Sequence, residues 1–244
     1  MSGESANPAR NLRRACVERI FDHAPGIRSL FLRLAGGQRL RFVPGQFISI
    51  PIPLEDETRT RAYSIASAAQ DGEMIEICFN RVPQGRGVAW LFERRVGDTL
   101  DFIGPFGVFT MERAPEVETV LIAEGTAIAP LRPMLQMTAR AGSHAPTVLL
   151  YAAQSPEQIL YRAELEQLAA RDPNLRIETL VVPGADSAAL YERLARDTQA
   201  RWIAADSVRT RRFYICGVGK GVLRLRDLLR GAGYERRSVR YEQW

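Results

Sequence analysis

Short runs of apolar residues, broken by turn signals, fill the chain up to about residue 109. The breaks fall at Gly36-Gly37, Pro44-Gly45 and Asp71-Gly72, pairs that typically mark turns. Four of the runs have the length and the β-branched and aromatic content of strands, namely residues 27–34, 46–50, 61–65 and 74–80. A further stretch, 88–95, has the pattern of a short helix. This part of the sequence predicts a small antiparallel β-barrel.

After Pro115 the pattern changes to strand-length apolar runs that alternate with helix-length amphipathic ones. The predicted strands are residues 118–123, 147–152, 175–182 and 212–216, and the predicted helices are 131–140, 159–171, 187–198 and 222–230. Such alternation indicates a parallel, Rossmann-like sheet with helices on both faces. We therefore predict two domains, 1–112 and 113–244, with Arg113-Ala114-Pro115 as the linker and residues 1–12 as a loosely attached tail.

Composition narrows the function classes. The chain has 244 residues, of which 46% are hydrophobic, enough for two cores of ordinary size. The net charge is +5 and Lys220 is the only lysine, so arginine carries the positive charge. This reflects either an arginine-rich coding bias or a basic face for an acidic protein or a phosphate-bearing cofactor. No basic run is interleaved with aromatic residues, so we expect no nucleic-acid partner.

The cysteines and the termini give further expectations. Cys16, Cys78 and Cys216 are too far apart for metal, iron–sulfur or disulfide spacing, and we expect no metal site. Neither a signal-peptide core nor an apolar run of membrane-spanning length is visible, so we expect a cytoplasmic protein without a membrane partner.

Two motifs in the barrel region can hold an anionic ring cofactor. In Arg61-Ala62-Tyr63-Ser64, alternation along a strand puts Arg61 and Tyr63 on one face and Ser64 on the other. A cation, a flat ring and a hydroxyl would suit a flavin dinucleotide, whereas the ordinary alternative is an exposed strand end. In residues 84–88, glycines before a helix let backbone N–H groups approach a phosphate, and the alternative is a plain turn. Residues 103–107 read as a structural tight turn.

Three further motifs follow in the second region. Gly125, Thr126 and Pro130 follow its first strand, where ligands bind in open parallel sheets, although the usual GxGxxG pattern is absent. Cys216 precedes a glycine at another strand end and is either a neighbour of a bound ring or a buried apolar residue. Trp244 is either a packing residue or a cover for a flat ring.

In this combination and order, the motifs resemble the ferredoxin–NADP reductase superfamily over residues 15–244. The resemblance implies an N-terminal antiparallel β-barrel that binds FAD, followed by an α/β domain that binds NAD(P)H. The cofactor-binding residues it implies are Arg61, Ala62, Tyr63, Ser64, Phe79, Arg86, Gly87, Val88, Gly125, Thr126, Pro130, Gly217 and Trp244. The catalytic residues it implies are Ser64, Cys216 and Glu242.

The chain also departs from the family pattern. Val88 or Ala89 stands where a serine is common, and Ala127 replaces a usual glycine. Glu124 replaces a small residue; it either narrows the site or faces solvent, and we favour solvent. Gln154 stands where NADPH-preferring members often have arginine. Since Arg162 or Arg176 is a possible substitute, the choice between NADH and NADPH stays open.

The resemblance implies that hydride passes from NAD(P)H to FAD after Trp244 swings away, and that the electrons then leave one at a time. The expected acceptor is ferredoxin, flavodoxin or another separate protein. Two alternatives are the reductase component of an oxygenase system and a non-catalytic flavin-binding electron-transfer subunit. The acceptor, the direction of flow and the oligomeric state are open.

Overall fold

The computed structural model describes residues 12–142, 145–205 and 209–244. Apart from Leu12, the predicted tail therefore lies outside the described residues. Within these ranges no helix is long and apolar enough to cross a membrane. The strands are β1 Arg13–Ala24, β2 Ile27–Leu34, β3 Phe47–Pro53, β4 Thr58–Ser64, β5 Met74–Asn80, β6 Thr99–Phe106, β7 Thr119–Glu124, β8 Thr147–Ala153, β9 Leu175–Val181, β10 Arg212–Gly217 and β11 Val239–Gln243. The helices are α1 Arg86–Phe92, α2 Leu131–Ala141, α3 Arg162–Arg171, α4 Ser187–Thr198 and α5 Lys220–Gly231.

The first six strands form an antiparallel sheet in the order β4-β3-β6-β1-β2-β5. Its edges meet because Ile65, just past β4, bridges Ile77 in β5. Alternate residues such as Leu30, Ile50 and Ile77 point inward and are fully buried. The predicted antiparallel barrel is confirmed, and its interior is filled by side chains.

Two strands of this barrel were not predicted, and the prediction of one turn was wrong. The unpredicted strands each have only two buried residues, Ala15 and Val17 in β1 and Leu100 and Phe102 in β6, which is too short an alternation to identify a strand from the sequence. Residues 103–106, expected in a tight turn, instead continue β6. The register between β3 and β6 shifts here: Phe47 pairs with Phe106 and Ser49 pairs with Ile103, so a bulge in β6 absorbs the extra residue.

The remaining strands form a parallel sheet in the order β11-β10-β7-β8-β9. One face packs Leu121 and Leu149 against α2 and α3, and the other packs Ile122 and Ile215 against α4 and α5. The predicted α/β fold is confirmed, with β11 as an additional strand. Helix α3 begins later than predicted because Tyr161 has a left-handed backbone, with φ 57°. The strand order reverses between β7 and β10, and ligands bind at such a point.

Candidate functional site

Two connected clefts lie between the barrel and the parallel sheet. The first has a volume of about 460 Å³ and is lined by residues 61–64 of β4, 78–80 of β5 and 84–88, together with Thr126, Val218 and Trp244. The second, of about 750 Å³, shares Asn80, Thr126 and Val218 with the first and extends to Gln154. Both volumes are in the range of ligand and cofactor sites.

Aromatic rings form one wall of the first cleft. Tyr63 packs edge-on against Phe79, with the ring centroids 5.8 Å apart, and Phe79 packs on Phe92 at 5.3 Å. Burial raises the pKa of Tyr63 to about 12, so its hydroxyl stays neutral at physiological pH. The Tyr63 ring is thus held in a defined orientation, as a surface for a flat cofactor requires.

Three arginines line this cleft, and they differ in their partners. Arg59 forms an ion pair with Glu57. Arg86 forms an ion pair with Asp56, with Nη2 and Oδ1 2.7 Å apart, in solvent. Arg61 makes no ion pair among the described residues, and its guanidinium donates only to the carbonyl of Thr60, at 3.1 Å. Beside Arg61 lies Gly87, where a Cβ would stand 3.5 Å from Arg61 Cγ. An uncompensated guanidinium next to a glycine suits a diphosphate, so these residues fit FAD.

The end of β11 brings three predicted residues together. Ser64 Oγ donates to Glu242 Oε1 at 3.3 Å, and Trp244 Nε1 donates to the same oxygen at 2.8 Å. Burial raises the pKa of Glu242, although both of these hydrogen bonds oppose the rise. The backbone N–H of Trp244 donates to the Gly217 carbonyl at 3.0 Å. A carboxyl group that holds its proton readily therefore lies beside the first cleft.

Cys216 is fully buried and belongs to the lining of neither cleft. Burial raises the pKa of its thiol far above the usual value, and the neighbouring Glu242 and Glu124 add to this effect. Gly217 lies against Tyr191, because a Cβ there would be 2.0 Å from the tyrosine oxygen. The structure thus places Cys216 and Gly217 behind the site wall rather than in it.

The turn after β7 faces the barrel. Thr126 Oγ1 donates to Asn80 Oδ1 at 3.1 Å, which joins the two domains at the cleft. Tyr151 donates to the carbonyl of Gly125 at 2.7 Å and fixes the turn from behind. Pro130 is buried at the start of α2 and does not line either cleft. Asn80 was not predicted as a site residue, because its only signal in the sequence is that it is a polar residue at a strand end.

Glu124 does not face solvent, contrary to the expectation. It lines the second cleft and accepts a hydrogen bond from Ser187 Oγ at 3.0 Å. Burial raises the pKa of its carboxyl group. Ser187, at the start of α4, also donates to the Val218 carbonyl after β10, so the loops of two other strands cover part of Glu124 at the end of β7.

The three residues discussed for nucleotide choice lie apart. Gln154 lines the second cleft at the end of β8. Arg162 is exposed and donates to the Pro156 carbonyl at 3.4 Å. Arg176 lies near the amino end of β9, whereas the clefts lie at the carboxyl ends of the parallel strands. Arg176 is therefore no substitute for a cation at position 154.

Two family models match the chain, an oxidoreductase FAD-binding domain at residues 18–111 and an oxidoreductase NAD-binding domain at 121–223. Ferredoxin–NADP reductase B of Sorangium cellulosum is 32% identical over 91% of this chain and 93% of its own length. The toluate 1,2-dioxygenase electron transfer component of Pseudomonas putida is 28% identical over 95% of this chain and 67% of its own length.

Solved structures share the fold. A ferredoxin–NADP⁺ reductase from Neisseria gonorrhoeae, with bound FAD and NADP, has a TM-score of 0.74 and 19% identity over 96% of this chain and 98% of its own. A cytochrome P450 reductase from Amycolatopsis has a TM-score of 0.80 and 22% identity over 95% of this chain and 69% of its own.

Proposed function

This chain belongs to the ferredoxin–NADP reductase superfamily of FAD- and NAD(P)-dependent oxidoreductases, and we propose that it transfers electrons from NAD(P)H to a separate ferredoxin-type protein. One observation carries the proposal. Ser64 of the barrel, Thr126 of the second domain and Trp244 after the last strand all line the first cleft, and Glu242 of that strand accepts hydrogen bonds from both Ser64 and Trp244. We assign residues 1–112 to FAD and 113–244 to the nicotinamide nucleotide.

Bound FAD supplies the capacity to accept a hydride and to release electrons singly. In our proposal Arg61 binds the diphosphate with charge-assisted hydrogen bonds, while Arg86 shares its charge with Asp56. Tyr63 and Phe79 hold the ring system in place. Holding the two reacting rings close and aligned is the protein's main contribution to the rate.

In our proposal, Ser64 and Glu242 take part in proton transfer at the edge of the flavin ring. Because burial raises the pKa of Glu242, its carboxyl group holds a proton more readily than an exposed glutamate. It can pass that proton to Ser64 Oγ, 3.3 Å away, as the hydroxyl releases its own proton toward the ring edge. Trp244 covers the cleft until the nicotinamide enters. Gly125 and Thr126 then position the nucleotide at the end of β7.

The test has two steps. Cofactor extraction should yield non-covalent FAD, and stopped-flow mixing with NADH and NADPH should bleach the flavin absorbance in the reductive phase. Failure to bind FAD would overturn the assignment of the barrel. Bound FAD that neither nucleotide reduces would leave a flavin-binding subunit without reductase activity, and a ferricyanide assay would report the same result.

The reductase component of an oxygenase system is the second candidate, because a dioxygenase electron transfer component and methane monooxygenase component C are among the relatives. The chain spans 52% of the methane monooxygenase protein and 54% of a glycine betaine monooxygenase reductase subunit. Among the described residues no cluster of side chains could hold a metal ion. Parallel assays with purified ferredoxins, flavodoxins and oxygenase components distinguish the two candidates.

A further inference from the structure

A buried ion pair joins the two domains behind the clefts. Glu76 of β5 is 1% exposed and Arg132, in the first turn of α2, has a side chain that is 13% exposed. Arg132 Nη1 lies 2.5 Å from Glu76 Oε2. A buried carboxylate is unfavourable unless a partner compensates it, so this pair can persist only while the barrel and the sheet stay in contact.

Hydrogen bonds fix the orientation of Glu76. Its Oε1 accepts from Ser29 Oγ at 2.6 Å, within the barrel, and from the Tyr161 hydroxyl at 2.7 Å, across the domain boundary. The Tyr161 hydroxyl also lies 3.3 Å from Ser29 Oγ. Both carboxylate oxygens therefore have partners in the second domain.

Arg132 is fixed just as firmly. Its Nη1 also donates to the Ala66 carbonyl of the barrel at 2.8 Å, and its Nε donates to Glu164 Oε2 of α3 at 2.9 Å. The guanidinium lies over the Tyr161 ring, 4.1 Å from the centroid. A planar group with partners in three directions tolerates little displacement.

The same two chain segments meet again at the site. Glu76, Cys78 and Asn80 alternate along β5 and share a face. Asn80 bonds to Thr126, in the turn that leads into α2, and Arg132 lies in the first turn of that helix. The two attachment points on β5 are four residues apart, about 13 Å in a strand. Cys78, between them, lines the first cleft.

We propose that Arg132 is a positioning residue for hydride transfer: paired with Glu76, it sets the register of β5 against the Gly125–Thr126 turn and so aligns the nicotinamide with the flavin. The proposal rests on the proposed function. The Ser64–Glu242 bond joins the domains at β4. On β5 itself there are two attachments, which limit both sliding and rotation of this strand against the turn, whereas the Asn80–Thr126 bond alone would act as a single pivot. Misplacement by about 1 Å can slow an aligned reaction by about 100-fold.

An apolar contact would serve stability equally well, because replacing a buried ion pair with uncharged groups is often neutral or stabilising. A double variant therefore distinguishes a pair that only stabilises the fold from a pair that positions the two domains. If the pair only stabilises the fold, the double variant Glu76→Gln/Arg132→Met regains both the folded state and the activity. If the pair positions the domains, that variant folds and binds FAD but transfers hydride slowly.

The experiment compares wild type, Arg132→Met, Arg132→Lys and the double variant, each loaded with FAD. Arg201→Met, which breaks an ion pair with Glu178 away from the domain boundary, is the matched control. Stopped-flow reduction at increasing NADH and NADPH gives the limiting rate and the nucleotide affinity separately. The double variant should lose about tenfold or more in limiting rate, with flavin content and affinity close to wild type. Arg132→Lys should recover part of the loss.

A second readout needs no turnover. In a Cys16→Ser background, the rate at which a thiol reagent labels Cys78, followed by peptide mapping of the apoprotein, reports whether β5 still packs on the second domain. Labelling should be faster in the Arg132 variants than in the control.

Full limiting rates in the double variant, or rates that fall only in proportion to lost flavin, would overturn the proposal, and so would unchanged Cys78 labelling. If wild type binds FAD but neither nucleotide reduces it, the proposed function fails, and the labelling alone then decides whether the pair sets the register.

Discussion

Arg61 should contribute more to FAD affinity than Arg86, although both arginines line the first cleft. Arg61 has no carboxylate partner among the described residues, so its charge is available to a diphosphate. Arg86 shares its charge with Asp56, through contacts of 2.7 and 3.2 Å. A phosphate would therefore compete with Asp56 for Arg86 but not for Arg61.

The magnitudes follow from this difference. A hydrogen bond to a charged group contributes about 1.5–3 kcal/mol, so Arg61→Ala should weaken FAD binding by about 10- to 100-fold. Arg86→Ala should weaken it by less than about fivefold, because Asp56 competes for this charge and an exposed ion pair contributes little free energy. Asp56→Asn frees Arg86 and should tighten FAD binding slightly.

The assay is titration of the deflavinated protein with FAD, followed by the quenching of flavin fluorescence, with Ser64→Ala as a control that should retain FAD. Thermal unfolding of each apoprotein checks that the fold is intact. Equal losses for Arg61→Ala and Arg86→Ala, or a weaker complex in Asp56→Asn, would refute the assignment of the diphosphate to Arg61.

Three further predictions concern the nucleotide and the fold. Trp244→Ala should tighten NAD⁺ and NADP⁺ binding about fivefold, since a stacked ring contributes about 1 kcal/mol. The affinities are measured by titration followed in the flavin spectrum, and equal affinities in Trp244→Ala and in Trp244→Phe, which keeps an aromatic ring, would contradict this. Gln154→Arg should raise kcat/KM for NADPH relative to NADH about tenfold by adding a charged donor at the end of β8. An unchanged ratio in steady-state assays would show that position 154 does not contact the 2′-phosphate of NADPH. Burial lowers the pKa of His23, and Arg132 nearby also lowers it while Glu76 opposes. At this residue the unfolded chain therefore binds more protons, so the contribution of His23 to the free energy of unfolding is fully present above about pH 6.5 and is lost as the pH falls toward the lower pKa of the folded state. In urea titrations at several pH values, His23→Asn should show a flatter decline with falling pH, and an equal slope would place the titrating group elsewhere.

Local pattern was sufficient for elements whose ends are marked in the sequence. The bounds of β2, β5 and α4 were predicted to the residue, since turn pairs or capping residues limit each of them. β11 was missed because Val239 is its only fully buried residue. Its strand form depends on pairing with β10, which lies more than twenty residues earlier in the sequence.

The residues of the candidate site also fall into two groups, those that a local sequence motif reveals and those that only tertiary packing brings together. Arg61, Tyr63 and Thr126 belong to short motifs and could be located from sequence alone. Asn80 and Arg132 could not, because their partners lie 46 and 56 residues away and only the packing of the two domains brings them together. Glu124 was misjudged for a related reason, since the loops that bury it come from other strands.

The attachment of Trp244 to β10 determines how fast the Trp244 side chain can leave the first cleft. Its backbone N–H donates to Gly217 and its carbonyl accepts from the Gly219 N–H at 3.3 Å, so the tail does not have to swing for the ring to leave the cleft. Rotation about the side-chain bonds, with loss of the hydrogen bond from Nε1 to Glu242, is enough, and the residue is 44% exposed. Exposed side chains change rotamer in picoseconds to nanoseconds. Such a gate would equilibrate long before each turnover, and would change the nucleotide concentration at which the enzyme half-saturates without limiting how fast it runs.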